Sequence, residues 1–218
     1  VYKSSLSSQL MSIFEARSEL PLIKDTNNFS ETITPTISFR LNPGQMKSLK
    51  ARSVNIDNIF SINRLGLSDA YEKGKSITLG INYKKSKNIN KNINYTNLED
   101  IEKYFEVKLA GVLRDVEENK ISSSSTLNRR ASNLFGSITN NMSDKIQLNY
   151  NFAIDNDLTT FEKNEIDLKF AINNLISTFT FSERNGEMGD SNSISNSTLF
   201  KFDDNNYFTF ETRRNRKI

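Results

Sequence analysis

The sequence predicts an all-β chain, an antiparallel series of about ten strands, and three observations support this fold class. Apolar and polar residues alternate strictly over stretches of about ten residues. Short turns rich in Asn and Asp join several of these stretches. The composition is polar, with 36% hydrophobic residues, a mean hydropathy of −0.56, and 29 Asn and 27 Ser among 218 residues. So few apolar residues suffice only if each strand has one apolar face.

The clearest strand is predicted for residues 145–155, where apolar and polar or small residues alternate without interruption. Its apolar row is Ile146, Leu148, Tyr150, Phe152 and Ile154, and its polar row includes Gln147, Asn149 and Asn151. Side chains of a strand point alternately to opposite faces, so this segment has two different faces. The same alternation predicts strands at 31–41, 75–84 and 165–172.

Weaker alternation predicts strands in the remaining segments, and no segment has a convincing helical period. These weaker strands are predicted at 4–17, 102–114, 130–140, 175–184, 194–203 and 206–214. Together with the clear strands they give about ten strands of roughly ten residues.

The connections between the strands fall into two groups. Residues 141–144, 173–174 and 203–206 are short turns, whereas 42–74, 115–128 and 185–193 are long and polar. Counting strands places the three long connections at the same end. Short turns at one end, long loops at the other and two-faced strands are typical of an outer-membrane β-barrel. A soluble β-sandwich or solenoid has the same alternation and stays open as an alternative.

Composition excludes several function classes. The chain has no Cys and no His, which excludes thiol catalysis, Ser-His-Asp relays and the usual zinc sites within these residues. The net charge of +3 is too balanced to indicate nucleic-acid binding. General acid–base catalysis by Asp, Glu, Lys or Tyr stays possible at this point, but no residue is assigned a catalytic, cofactor-binding or metal-binding role.

The long connection 42–74 is unusual because it contains apolar residues that a solvated loop does not need. These residues are Val54, Ile56, Ile59, Phe60, Ile62, Leu65 and Leu67. Connections of this length without their own strand are often functional. We therefore expect the loop to fold back onto another part of the protein.

Residues 57–74 read DNIFSINRLGLSDAYEKG and lead into a strand that ends Gly80-Ile81-Asn82-Tyr83. This stretch resembles a motif of the lipopolysaccharide-assembly protein family LptD, also called organic solvent tolerance protein. The sequence departs from the motif at Leu65, at Gly66, which comes one place early, and at Ala70. Matching positions with an expected structural or gating role are Asp57, Asn58, Phe60, Asn63, Arg64, Gly66, Asp69, Glu72 and Gly74.

The resemblance implies that residues 1–218 are the central part of the family's carboxy-terminal β-barrel, an incomplete barrel in the form of an open, curved sheet. It implies location in the outer membrane and a role in inserting lipopolysaccharide into its outer leaflet, so we expect a translocon and not an enzyme. The implied partners are lipopolysaccharide, outer-membrane lipid, a lipoprotein plug of the LptE type, and the rest of the Lpt bridge through a periplasmic domain outside this segment.

The same resemblance predicts that the loop 42–74 is extracellular and packs into or over the barrel interior. Two other functions stay open at this point. A porin would be a passive channel without a lipid substrate, and a β-rich surface or adhesin module would be soluble.

Overall fold

The computed structural model describes residues 12–46, 53–66, 71–87, 103–203 and 206–216. Within these ranges it contains eleven β-strands and two single 3-10 turns, at Ser123–Ser125 and Gly186–Met188. The strands are β1 Phe14–Glu19, β2 Leu22–Asp25, β3 Phe29–Asn42, β4 Gly74–Lys87, β5 Tyr104–Arg114, β6 Leu134–Asn140, β7 Ile146–Ile154, β8 Phe161–Ile172, β9 Leu175–Arg184, β10 Ser191–Lys201 and β11 Tyr207–Arg216.

All eleven strands belong to one antiparallel sheet. From β3 to β11 each strand pairs with the next one along the chain, and β1 and β2 both pair with β3. Within the described residues β1 and β11 do not pair with each other, so the sheet is open. The predicted fold class, an all-β antiparallel sheet that is not closed, is confirmed.

The first strand differs from its prediction. A strand was expected at 4–17, but residues 1–11 lie outside the described part, and pairing with β3 extends from Phe14 to Asp25 with one interruption. The interruption falls at Leu20 and Pro21, where only the Leu20 N–H bonds to the Pro35 carbonyl, at 3.1 Å. Proline has no N–H to contribute, so it breaks the ladder into β1 and β2.

The connections alternate between two ends of the sheet. One end, here called the loop end, carries the connections β3–β4, β5–β6, β7–β8 and β9–β10. The opposite end, here called the turn end, carries the connections β2–β3, β4–β5, β6–β7, β8–β9 and β10–β11. The prediction that the three long connections 42–74, 115–128 and 185–193 share one end is confirmed, because they join β3 to β4, β5 to β6 and β9 to β10. The long connection between β4 and β5, which follows the turn end of β4, was not among them. The sequence analysis missed this connection because clear alternation stops at Lys84 and the next weak strand was expected only from Glu102.

The two faces of the sheet have opposite polarity. The outer face carries the apolar rows, and Ile37, Leu79 and Phe179 on it are exposed. The inner face carries the polar rows, and Ser38 and Thr78 on it are buried. This arrangement is the inverse of a soluble protein, in which the apolar rows cover a dry core.

The hydrophobic core lies against the inner face and comes largely from the connections. Its loop residues are Met46, Val54, Ile56, Ile59, Leu65, Ile121, Leu127 and Met188, and its sheet residues are Ala110, Val112, Phe135 and Ala153. Small residues on the strands leave room for the loop side chains. The loops of the loop end therefore fold inward over the polar face instead of projecting from the sheet.

Candidate functional site on the inner face

The connection of residues 43–73 between β3 and β4 is here called the inner loop, and its described residues, 43–46, 53–66 and 71–73, pack against the inner face. Residues 53–66 form consecutive turns, with N–H to carbonyl bonds from Ile59 to Asn55 at 3.0 Å and from Gly66 to Asn63 at 2.9 Å. The Asn58 carboxamide accepts the Asn55 N–H at 2.9 Å and donates to the Ser53 carbonyl at 3.2 Å. These bonds satisfy backbone groups locally, as Asn side chains commonly do in turns.

The turns aim the apolar side chains of the inner loop at the sheet. Val54 and Ile59 are fully buried, so the expectation that this connection folds back onto the protein is confirmed. The Phe60 ring lies over Gly80 of β4, and a Cβ at Gly80 would stand 2.7 Å from Phe60 Cζ. The Arg17 guanidinium lies over the ring, 4.9 Å from the ring centroid. Gly80 is therefore needed for the close approach of the ring.

Arg64 is fully buried and joins the inner loop to the sheet. Its Nε and Nη2 donate to the two carboxylate oxygens of Glu72, each at 2.6 Å. Nη1 donates to the Thr78 hydroxyl at 2.8 Å, and Nη2 also donates to the Ser76 hydroxyl at 3.0 Å. A planar guanidinium is suited to this paired geometry with a carboxylate.

Two further arginines complete an ion cluster of Arg40, Arg64, Glu72 and Arg114. Arg114 Nη1 donates to Glu72 Oε1, and Arg40 Nη1 donates to Oε2 at 3.4 Å. Arg40 pairs in addition with Glu15 of β1 at 3.1 Å. In the strand register Arg40 lies opposite Ser76, and Ser76 lies opposite Arg114. Arg40 of β3 and Arg114 of β5 thus donate to one loop carboxylate, and Ser76 between them on β4 accepts a hydrogen bond from Arg64.

The charge of Glu72 is set by two opposing effects. Burial acts to raise the pKa of this carboxyl, because it removes water from the charged form. The charges of Arg64, Arg114 and Arg40 and the hydrogen bond from Arg64 outweigh burial, and they hold the pKa of Glu72 below its ordinary value of 4.5. Glu72 is therefore a buried carboxylate fully engaged as an acceptor, which suits a structural anchor better than proton transfer.

Two glycines allow the chain to enter and leave the cluster. Gly66 has a φ of 62° and Gly74 a φ of 96°, conformations that favour glycine. A Cβ at Gly74 would also stand 3.0 Å from Arg114 Nη2. Gly74 therefore lets β4 begin directly beside the ion cluster.

The structure brings several of the motif residues together and separates others. Phe60, Arg64, Glu72 and Gly74 pack on or beside the inner face, whereas Asn58 bonds within the inner loop. Asp57 is exposed, Asn63 accepts the Gly66 N–H through its carbonyl, and Asp69 lies outside the described residues. The sequence analysis missed Arg40, Arg114, Ser76 and Thr78, which it had placed only within predicted strands. The available signal was that both arginines lie at the loop ends of their strands, β3 and β5, on either side of β4.

A cavity of about 510 Å³ lies beside the inner loop on the turn-end side of the ion cluster. Its lining includes Arg17, Asp57, Phe60, Asn82 and Lys108. Lys108 pairs with Glu106 at 3.1 Å, and Arg17 pairs with Glu19. The cavity is therefore polar and lined by charges of both signs.

Neither a metal centre nor a membrane-spanning helix was found where the chain is described. No group of three or more acidic side chains in those ranges is arranged to hold a metal ion. The same ranges contain no helix with the length and apolar character needed to cross a bilayer.

Comparison with known protein families gives one decisive result. A family model described as LptD, LPS transport system D, matches residues 2–199 of the 218. The chain belongs to the LptD family. The match includes both the inner loop and strands β1 to β9, so the site described above lies within the LptD region. A search of the curated proteins gave no match.

Membership of the LptD family places the chain in the transport and assembly of lipopolysaccharide. LptD proteins are outer-membrane components of Gram-negative bacteria and act with lipopolysaccharide and the Lpt transport system. The family is one of transport and assembly. The resemblance noted from the motif at residues 57–74 is thereby confirmed at the level of the family.

Proposed function

We propose that residues 1–218 are part of the wall of an outer-membrane β-barrel translocon that inserts lipopolysaccharide into the outer leaflet. The protein acts without catalytic chemistry, and the inner loop closes the interior of the barrel from the extracellular side. The motif residues that touch the sheet, above all Arg64 and Glu72, hold this closure in place.

The inverted polarity of the sheet is the observation that carries the proposal. Large apolar side chains such as Ile37, Leu79, Ile146, Phe179 and Ile194 are exposed on the outer face. Burying one such side chain in an apolar environment is favourable by roughly 1.5–3 kcal/mol. A whole row exposed to water is therefore costly, whereas the same row in hydrocarbon is favourable. A soluble module is disfavoured for this reason.

The inner face suits a substrate with sugars and phosphates. Its polar rows, for example Gln147, Asn149 and Asn151, can hydrate such groups while the acyl chains stay in the membrane. The inner loop covers the inner face of β3, β4 and β5 through Phe60 and the ion cluster. A passive porin needs an open lumen, so a loop anchored by four charged side chains favours the translocon over a porin.

The proposed partner inside the barrel is a lipoprotein plug of the LptE type. The ion cluster and Phe60 attach the inner loop at β3 to β5, and the polar rows of β8 to β11 lie elsewhere on the inner face. These rows include Ser193, Ser195 and Ser197 of β10. The rest of the Lpt bridge is proposed to deliver lipopolysaccharide through a periplasmic domain that is not in this segment.

Depletion of the full-length protein in its own host tests the function. We expect newly made lipopolysaccharide to stop reaching the cell surface, as measured by pulse labelling and surface-specific modification, while passive uptake of small solutes does not fall. A fall in solute uptake with unchanged surface lipopolysaccharide would instead support a porin. Release of the protein from membranes by urea without detergent would support a soluble surface module.

A further inference from the structure

The outer face contains a groove of about 470 Å³ where β5 and β6 separate near the loop end. Regular pairing ends at Ala110 opposite Phe135, and only one further bridge follows, between Leu113 and Ala131. Gly111 has no side chain to fill the gap, and Leu79, Leu109 and Leu113 line it. The groove is thus an indentation in an otherwise continuous apolar face.

Polar backbone groups beside the groove have hydrogen-bond partners although the regular pairing of β5 with β6 has ended. Ser132 Oγ accepts the Val112 N–H at 2.9 Å and donates to the Asn133 carbonyl at 2.8 Å. The Ser132 N–H donates to the Val112 carbonyl at 2.9 Å. In hydrocarbon an unpaired backbone group costs several kcal/mol. The Ser132 side chain therefore makes an irregular backbone compatible with a lipid-facing position.

Leu158, in the turn between β7 and β8, overhangs the groove in an unfavourable conformation. Its φ is 60°, a left-handed conformation that is strained for a side chain of this kind. The Asp155 carboxylate holds the turn by accepting the N–H groups of Thr159 at 2.7 Å and Thr160 at 3.2 Å. The Leu158 side chain is nevertheless 64% exposed, so its burial within this sheet does not offset the cost. An apolar ligand bound in the groove would bury the Leu158 side chain and offset this cost.

The loop end of the groove is polar and carries a cation. Asn156 lines the groove, and its Oδ1 accepts Nη1 of Arg129 at 3.3 Å. Arg129 Nη2 pairs with Glu187 at 2.8 Å, and the arginine side chain is 31% exposed. A guanidinium has five N–H donors, so Arg129 has donors beyond these two bonds for a phosphate oxygen.

We propose that this groove binds one acyl chain of an outer-leaflet lipopolysaccharide molecule, with a phosphate of the same molecule near Arg129 and Asn156. The inference rests on the proposed function, which puts the loop end in the outer leaflet. Two features argue for a bound lipid chain: an indentation whose backbone is satisfied without water, and a strained leucine that completes its apolar wall. The N–H donors of Arg129 beyond its bonds to Asn156 and Glu187 argue for a lipid that carries phosphate.

Photocrosslinking in the full-length protein tests the groove. A photoreactive amino acid replaces Leu113 in the groove or, as the control, Ile194 on β10; these side chains are 52% and 50% exposed on the same face. The protein is reconstituted in nanodiscs of phosphatidylethanolamine and phosphatidylglycerol, with or without lipopolysaccharide. We expect a lipopolysaccharide adduct several-fold stronger at position 113 than at 194. Equal yields, or a phospholipid adduct alone at 113 when lipopolysaccharide is present, would overturn the proposal.

Filling the groove gives a graded second test. A Cβ at Gly111 would lie 3.8 Å from the Asn133 carbonyl oxygen, an ordinary contact, so Gly111→Ala fits without displacing a neighbour. The longer side chain of Gly111→Leu would extend into the groove, and its folding is checked by the heat-modifiable migration of the barrel on a gel. We expect the adduct at 113 to fall in that order. Leu158→Asn suits the positive φ of the turn and is expected to keep the turn while weakening the adduct. An undiminished adduct in Gly111→Leu contradicts the inference.

The two proposals fail in different ways. If depletion shows that surface lipopolysaccharide depends on the protein but position 113 gives no preferential adduct, the groove inference alone is wrong. If surface lipopolysaccharide is independent of the protein, the proposed function fails whatever the crosslinking yields.

Discussion

The guanidinium of Arg64 and the carboxylate of Glu72, eight residues apart in the inner loop, form two parallel hydrogen bonds of 2.6 Å each. Both side chains are buried, and the pair is joined to the sheet through Ser76, Thr78, Arg40 and Arg114. The loop is thus held by charge as well as by its apolar side chains.

Neutralising Glu72 is expected to release the inner loop. Glu72→Gln keeps the size of the side chain but leaves three buried guanidiniums without their shared carboxylate. Removing one partner of a buried ion pair typically costs about 3–5 kcal/mol. A cysteine placed at the fully buried Ile59 should then be labelled by an impermeant maleimide on whole cells. Ile62→Cys, at an exposed position, should be labelled in both backgrounds. Continued protection of position 59 in Glu72→Gln would contradict this role.

Replacing Arg64 is expected to be less harmful than replacing Glu72. In Arg64→Met the carboxylate keeps Arg114 and Arg40, whereas Glu72→Gln deprives all three arginines at once. Thermal unfolding of the purified full-length protein should rank the variants in that order. The reverse order would mean that the hydroxyl contacts of Arg64 matter more than the charge balance of the cluster.

The anchoring of the loop is expected to depend on pH. The pKa of Glu72 is lower in the folded protein than its ordinary 4.5, so its contribution to stability is complete above 4.5 and is lost as the pH falls through the folded value. A spin label at position 62 should gain mobility only below about pH 4.5. In Glu72→Gln the label should already be mobile at neutral pH, with no transition attributable to residue 72. A transition unchanged by that substitution would assign the effect to another group.

The contact between Phe60 and Gly80 is expected to be sensitive to a single methyl group. Gly80→Ala places a carbon where the ring now lies, and overpacking of this kind typically costs about 1–3 kcal/mol. Phe60→Leu in the same chain removes the end of the ring and should restore part of the lost thermal stability. If the double variant is no more stable than Gly80→Ala alone, the loss arises in β4 itself.

The sequence predicts the strands better than the site. Period-two alternation identifies β3, β4, β7 and β8. It also separates their two faces, because the apolar row of each strand lies on the outer face and the polar row on the inner face. It cannot identify the ion cluster, because Arg40 and Arg114 meet Glu72 only through the pairing register and the path of the inner loop. The conformation of Leu158 likewise depends on hydrogen bonds to Asp155, and an apolar residue in a polar turn gives only a weak indication of it.

The ladder in which each strand pairs with its chain neighbour has a consequence for the order of assembly. The contact of longest sequence separation in the ion cluster joins Glu72 and Arg114, 42 residues apart. The cluster requires only β3, β4, β5 and the inner loop, with Glu15 of β1 as a further contact. Contacts that are local along the chain form with a small loss of loop entropy. We therefore expect β3, β4, β5 and the inner loop to become ordered as a unit. The later strands would then add to the free edge of β5, beside an inner face that the loop already covers.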